Sequence, residues 1–182
     1  MRSVARILLL AISLGAGLAQ PASEAPDQRL IDQSGRPVDA RELSGHWLLV
    51  YFGYASCQEI CPAALTTMTQ LLGRLGPRAN SVNPLFISLN PAHDTPAVLR
   101  DFISHFDPRI RALTGSSQTV SEAARRFEVP WKTTLRGAVS DHGTLFYLVA
   151  PDGRVVQLLH PQQSMDDLVA AIDKQMAKTP TS

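Results

Sequence analysis

Residues 47–77 read WLLVYFGYASCQEICPAALTTMTQLLGRLGP. Trp47 to Phe52 is an unbroken apolar run with β-favouring residues, which predicts a strand buried on both faces. Gly53 to Ser56 turns the chain. Pro62 to Leu75 then carries Ala64, Leu65, Met68, Leu71, Leu72 and Leu75 at helical spacing, and Gly76-Pro77 stops that helix. The stretch predicts a buried strand feeding a helix, with Cys57 and Cys61 at the junction. In open α/β sheets chemistry collects at the C-terminal edge of the strands. A helix N-terminus there stabilises anions, thiolates among them.

Working outward, Leu85 to Leu89 predicts a second buried strand, and Thr95-Pro96 opens a helix with threonine as cap and proline at the first helical position. That helix carries Val98, Leu99, Phe102, Ile103 and Phe106 on one side. Ile110 to Leu113 is a short strand, and Ser117 to Phe127 a third helix. Thr144 to Ala150 and Val155 to Leu159 are strands joined around Asp152-Gly153, a hairpin signal. Ser164 caps a last amphipathic helix that runs to Met176, with Asp166 and Asp167 in its first turn. Upstream, Leu30–Asp32 and Pro37–Asp39 flank Ser34-Gly35 as a small hairpin. The order is hairpin, then β-α-β-α-β-α-β-β-α. Alternation of strand and helix predicts an α/β fold with helices on both faces of a central sheet, and the closing hairpin makes that sheet mixed. This is the order of a thioredoxin-like domain with an N-terminal hairpin and one β-α insertion.

The chain has 182 residues, enough for one compact domain. Its N-terminus reads as a targeting segment: Arg2 and Arg6, then an apolar and small-residue run from Ile7 to Ala19, too short for the roughly 20 residues of a membrane span. Cleavage is expected near Ala19–Gln20; an uncleaved membrane anchor is the second reading. No cysteine lies near the cut, which argues against a lipid anchor there. The expected organisation is a signal peptide over 1–19, a polar proline-bearing linker over 20–28 and a folded domain over 29–178, exported to the periplasm. Losing Arg2 and Arg6 from the 17 basic residues leaves 15 against 16 acidic ones, a balance that gives no support for nucleic acid or an anionic membrane surface as partner.

Two cysteines in an exported chain first suggest a structural disulfide. Cys57 and Cys61 would close a tiny loop, and short loops stabilise least. A dithiol redox pair is the second reading, although most such pairs are one residue tighter. A metal site is the third: thiolates on neighbouring helical turns can both reach one soft ion. A third ligand is then needed, and histidine leads. His142 is best placed, just before the strand Thr144–Ala150, in a segment that faces the cysteine turn in a thioredoxin-like domain. Asp141 is positioned to orient its imidazole. An ordinary loop histidine is the other reading of His142. His46, His105 and His160 read as sheet-end or polar-face residues, and His93 as a surface residue beside the Thr95 cap. Met68 and Met165 fit core positions.

Three blocks in order resemble the Sco/SenC family of copper proteins: YFGYASCQEICPAAL (51–65), SLNPAHDTPAVL (88–99) and SDHGTLFYLVAPDGRV (140–155). The chain has Gln58-Glu59 where that family often has Pro-Asp, and Asn90 and His93 where it often has Asp and Arg. The resemblance implies a thioredoxin fold outside the cytoplasmic membrane and one copper, Cu(I) or Cu(II), held by Cys57, Cys61 and His142. It implies a metallochaperone role in assembling the dinuclear copper centre of cytochrome c oxidase. The partner is then the copper-bearing subunit of the oxidase or another periplasmic copper protein. Some relatives look instead like thiol–disulfide reductases, which would make Cys57 and Cys61 catalytic.

Overall fold

A computed structural model describes residues 29–133 and 139–178, with backbone alone at Ala40, 131–133 and 139–142. The signal-peptide and linker expectations therefore lie outside the described residues. Among those described, no helix is long and apolar enough to cross a membrane.

Three strands form the middle of the sheet: β2 (Trp47–Gly53), β3 (Val82–Ser88) and β7 (Phe146–Val149). β2 runs parallel to β3 and antiparallel to β7. On the far side of β3 lie β4 (Arg111–Thr114), parallel, and β1 (Ile31–Asp32), antiparallel to β4; β8 (Val155–Leu159) closes the other edge against β7. The order β1-β4-β3-β2-β7-β8 gives the mixed sheet that the element pattern predicts.

All seven residues of β2 are buried, because both faces of the sheet are covered. Trp47, Leu49 and Tyr51 point to one side, against α2 (Ile60–Leu75), α3 (Pro96–Ile103) and α5 (Met165–Lys178). Leu48, Val50 and Phe52 point to the other, against α4 (Ser117–Arg126) and the short α1 (Ala40–Leu43). This alternation is the two-residue period of a strand in a doubly covered sheet. Met68 is fully buried beneath α2, and Met165 packs at the edge of the same core.

Local chemistry sets the helix ends. The Thr95 hydroxyl accepts from the Val98 N–H at 3.3 Å with Pro96 at the first helical position, and Ser164 accepts from the Asp167 N–H at 3.1 Å. Two expectations need correction. The helix after Thr95 stops at Ile103, not Phe106, because the Ser104 hydroxyl bonds back to the Asp101 carbonyl at 2.6 Å and residues 104–106 turn away. The N-terminal hairpin is one bridge, Ile31 to Pro37, around a turn closed by Asp32; Ile31 and Asp32 pair with β4 instead. After α4, and beyond the elements read from sequence, β5 (Trp131–Thr133) and β6 (Val139–His142) pair antiparallel as a separate two-stranded sheet.

Candidate functional site

The C-terminal end of β2 delivers the chain into the turn Tyr54–Glu59, and α2 starts at Ile60. Cys57 therefore stands before the helix and only Cys61 lies in its first turn. The sulfurs meet by a different route from two positions on one helical face. Glu59, at the capping position, makes no side-chain cap. The Cys57 sulfur takes over that task and accepts the Cys61 N–H at 3.4 Å. The N–H groups of Glu59 and Ile60 also donate to it. Both cysteines are free thiols, Cys57 half-buried and Cys61 fully buried.

The two environments push the thiols apart. Burial opposes ionisation of Cys57, but the N–H groups of Cys61, Glu59 and Ile60 outweigh it and lower its pKa below the ordinary thiol range. Burial dominates at Cys61 and pushes its thiol up to about 12, with the neighbouring Cys57 adding to the shift and the Tyr54 N–H and Tyr51 hydroxyl opposing it. The pair thus combines one sulfur ready to ionise in contact with solvent and one held protonated within the core.

A hydrogen-bonded strut fixes the cysteine turn from behind. The Asp94 carboxylate, 1% exposed, accepts the Ala55 N–H at 2.9 Å and the Ser88 hydroxyl at 2.6 Å. Ser88 in turn accepts the Asn90 N–H at 3.0 Å. Burial raises the Asp94 pKa against these donors. Asp94 and Ser88 are not singled out by the sequence, although Asp94 lies in the 88–99 block directly before the Thr95-Pro96 helix entry. Gly53 is the other residue missed. A Cβ there would stand 2.7 Å from the Cys61 sulfur, so the absence of a side chain is what admits that sulfur to the end of the strand.

The histidines separate as follows. His46, His93, His105 and His160 are exposed. The His93 ring is engaged with Asn90 Oδ1 at 3.1 Å through Nδ1. His142 ends β6, opposite Trp131, and Asp141 is opposite Lys132. His142 is thus in a strand, not a loop. Phe146, four residues on, pairs with Tyr51 near the end of β2, so the backbone brings His142 towards the sheet edge that carries the cysteine turn. The side chains of His142 and Asp141 lie outside the described residues. Among those described, no three His, Cys, Asp or Glu side chains group as a metal site.

The SCO1/SenC family model matches residues 17–177. The SCO2-like protein of Rickettsia felis is 32% identical over 149 residues, covering 79% of this chain and 72% of the relative. Bradyrhizobium japonicum ScoI, solved with copper bound, superposes with a TM-score of 0.72 at 32% identity, over 80% of this chain and 95% of that one. BsSco, described as a member of the Sco family of cytochrome c oxidase assembly proteins and as carrying a disulfide switch, gives a TM-score of 0.67 at 27% identity, over 80% and 88%. The sheet order, the position of the cysteine pair and the family match agree, and the chain belongs to the SCO1/SenC family.

Proposed function

We propose that this chain is an exported copper metallochaperone. Its cargo is one copper ion held by Cys57, Cys61 and His142, and it serves assembly of the dinuclear copper centre of cytochrome c oxidase. The working unit is the domain over 29–178, placed outside the cytoplasmic membrane once the segment 1–19 has directed export, with 20–28 as linker. The partner is the copper-bearing oxidase subunit or another periplasmic copper protein.

One observation carries this reading: two free thiols meet at the N-terminus of α2, and backbone N–H groups are aimed at the outer one. The donor set fits copper. Thiolate sulfur suits Cu(I), and imidazole nitrogen helps accommodate Cu(II). Copper supplies no chemistry to this chain beyond being bound and released. The chain's own residues do the rest: the N–H groups favour an anionic Cys57, and Asp94 holds the turn. The copper-bound relative ScoI supports the assignment.

The test is copper titration of reduced and oxidised protein against a competing chelator. Reduced protein retains one copper and oxidised protein does not, because thiolates rather than a disulfide bind metal. Alanine at Cys57 or Cys61 abolishes binding of both oxidation states, His142→Ala harms Cu(II) more than Cu(I), and His93→Ala changes little. Equal tight binding by both redox forms moves the ligands elsewhere, and a large loss in His93→Ala moves the histidine.

A second reading, periplasmic thiol–disulfide reductase, is favoured by one specific observation. Cys57 is half-exposed and Cys61 buried behind it, the arrangement of an attacking and a resolving thiol. The disulfide switch of the relative BsSco supports it. Turnover of a protein disulfide by metal-free protein, lost in Cys57→Ser, would favour this reading over copper delivery.

A further inference from the structure

We propose that Tyr51 is a positioning residue for the cysteine pair: its buried phenol donates to the Cys61 sulfur and biases the pair towards the dithiol. The proposal rests on the reading above that Cys57 and Cys61 are the working groups. Tyr51 is fully buried in β2, on the sheet face that α2 covers. Its ring is wedged edge-on against Phe146 at 5.6 Å and beside Phe86 at 6.3 Å. The hydroxyl at the tip of that fixed ring reaches Cys61 Sγ at 3.9 Å, and among the described residues it has no other hydrogen-bond partner. A buried tyrosine hydroxyl needs a partner, and here the partner is the sulfur.

The bias follows from what oxidation does to the acceptor. With glutathione disulfide as oxidant, the two S–H bonds of Cys57 and Cys61 are lost and an S–S bond forms between them. Two electrons pass to glutathione disulfide, whose own S–S bond breaks, and the two glutathione thiolates so formed take up the two protons. The Cys61 sulfur is then drawn to within about 2.05 Å of Cys57 and becomes a poorer acceptor. The Tyr51 hydroxyl stays where its ring is wedged and is left buried with a worse partner, a cost borne only by the disulfide form. In the dithiol the contact is retained.

The experiment uses the full chain without metal, equilibrated at fixed pH in glutathione redox buffers. Tyr51→Phe keeps the ring and removes the donor. Its dithiol–disulfide equilibrium should move towards disulfide by about three- to tenfold, the worth of one hydrogen bond, with the urea midpoint of the reduced protein falling more than that of the oxidised protein. Tenfold corresponds to about 30 mV for this two-electron couple. Site-specific 3-fluorotyrosine at position 51, a stronger donor of nearly the same size, should move the equilibrium the other way, and it carries the test if the phenylalanine variant does not fold. In the copper-loaded protein, Tyr51→Phe should also shift the sulfur-to-Cu(II) charge-transfer band. Equilibrium constants within twofold of the parent protein in the variants that fold would overturn the proposal. Because the first readout needs no copper, its failure leaves the copper reading standing, and failure of the copper titration leaves this one standing.

Discussion

Gly53→Ala tests how closely the strand end is packed against the site. A Cβ at this position lies 2.7 Å from Cys61 Sγ, 2.9 Å from Phe86 Cε2 and 3.2 Å from Tyr51 Cε1. Non-bonded heavy atoms are comfortable at about 3.5–4.0 Å, so the sulfur must retreat by about 1 Å. It has little room to do so. Cys61, Phe86 and Tyr51 are all fully buried, and Gly53 is pinned by its register with Ser88 and by the Leu89 N–H, which donates to its carbonyl at 2.7 Å. Overpacking of this kind costs about 1–3 kcal/mol, and the lower chain entropy of alanine in the unfolded state returns about 0.4–1 kcal/mol. The net expectation is a loss of about 1–2 kcal/mol, or a Tm lower by about 2–8 °C for a domain of this size. Gly73→Ala is the internal contrast. Gly73 is an exposed α2 residue whose Cβ would meet nothing within 4 Å, so alanine should stabilise by about 0.5–1 kcal/mol. Urea unfolding of the reduced proteins measures both. A Gly53→Ala protein as stable as the parent, with unaltered Cys61 chemistry, would refute the claim that the strand end seats that sulfur.

Three further outcomes follow from the same geometry. Iodoacetamide should modify Cys57 in the native protein at a rate that rises through a pH below the ordinary thiol range, while Cys61 reacts only on unfolding; peptide mapping of time points tells them apart. Burial works against the charge on Asp32, but the Ser34 hydroxyl and N–H, the Arg36 N–H and the Arg111 guanidinium outweigh it and hold the carboxyl well below the carboxylate range. A folded-state pKa below the unfolded one makes its stabilisation present above about pH 4 and lost as pH falls further, so Asp32→Asn should unfold at lower urea at neutral pH and show a flatter acid limb. Glu128 follows α4 with φ +52°, a left-handed position at a helix C-terminus where glycine is favoured and a carboxylate opposes the dipole, so Glu128→Gly should raise stability by about 0.5–1 kcal/mol in urea unfolding.

The fold was legible because the middle strands announce themselves. WLLVYF is apolar at every position and LFISL at all but Ser88, the pattern of a sheet covered on both faces, while α3 and α5 carry their caps in sequence and α2 its apolar spacing. What escaped was weakly patterned or non-local. β3 begins at Val82 and runs through Pro84, a residue that argues against a strand until its neighbours are known. The β5–β6 pair is short, bulged between Lys132 and Thr133, and has no alternation to read. Of the site, the cysteines and their place before a helix could be read directly. Gly53, Ser88 and Asp94 could not, since their roles depend on β2, β3 and the start of α3 converging at one sheet edge, a contact between residues 39 apart in the case of Asp94 and Ala55.

That convergence also explains why the spacing of four works without both cysteines on a helix. Cys61 must sit in the first turn, where the backbone buries it at the end of β2 and leaves its N–H without an intrahelical acceptor. Cys57, four residues earlier, is at the right distance to accept that N–H with its sulfur, so the inner cysteine's backbone stabilises the outer cysteine's negative form. That contact helps to lower the Cys57 pKa, while burial at the end of β2 is what raises the Cys61 thiol, and the two together separate an accessible sulfur from an enclosed one.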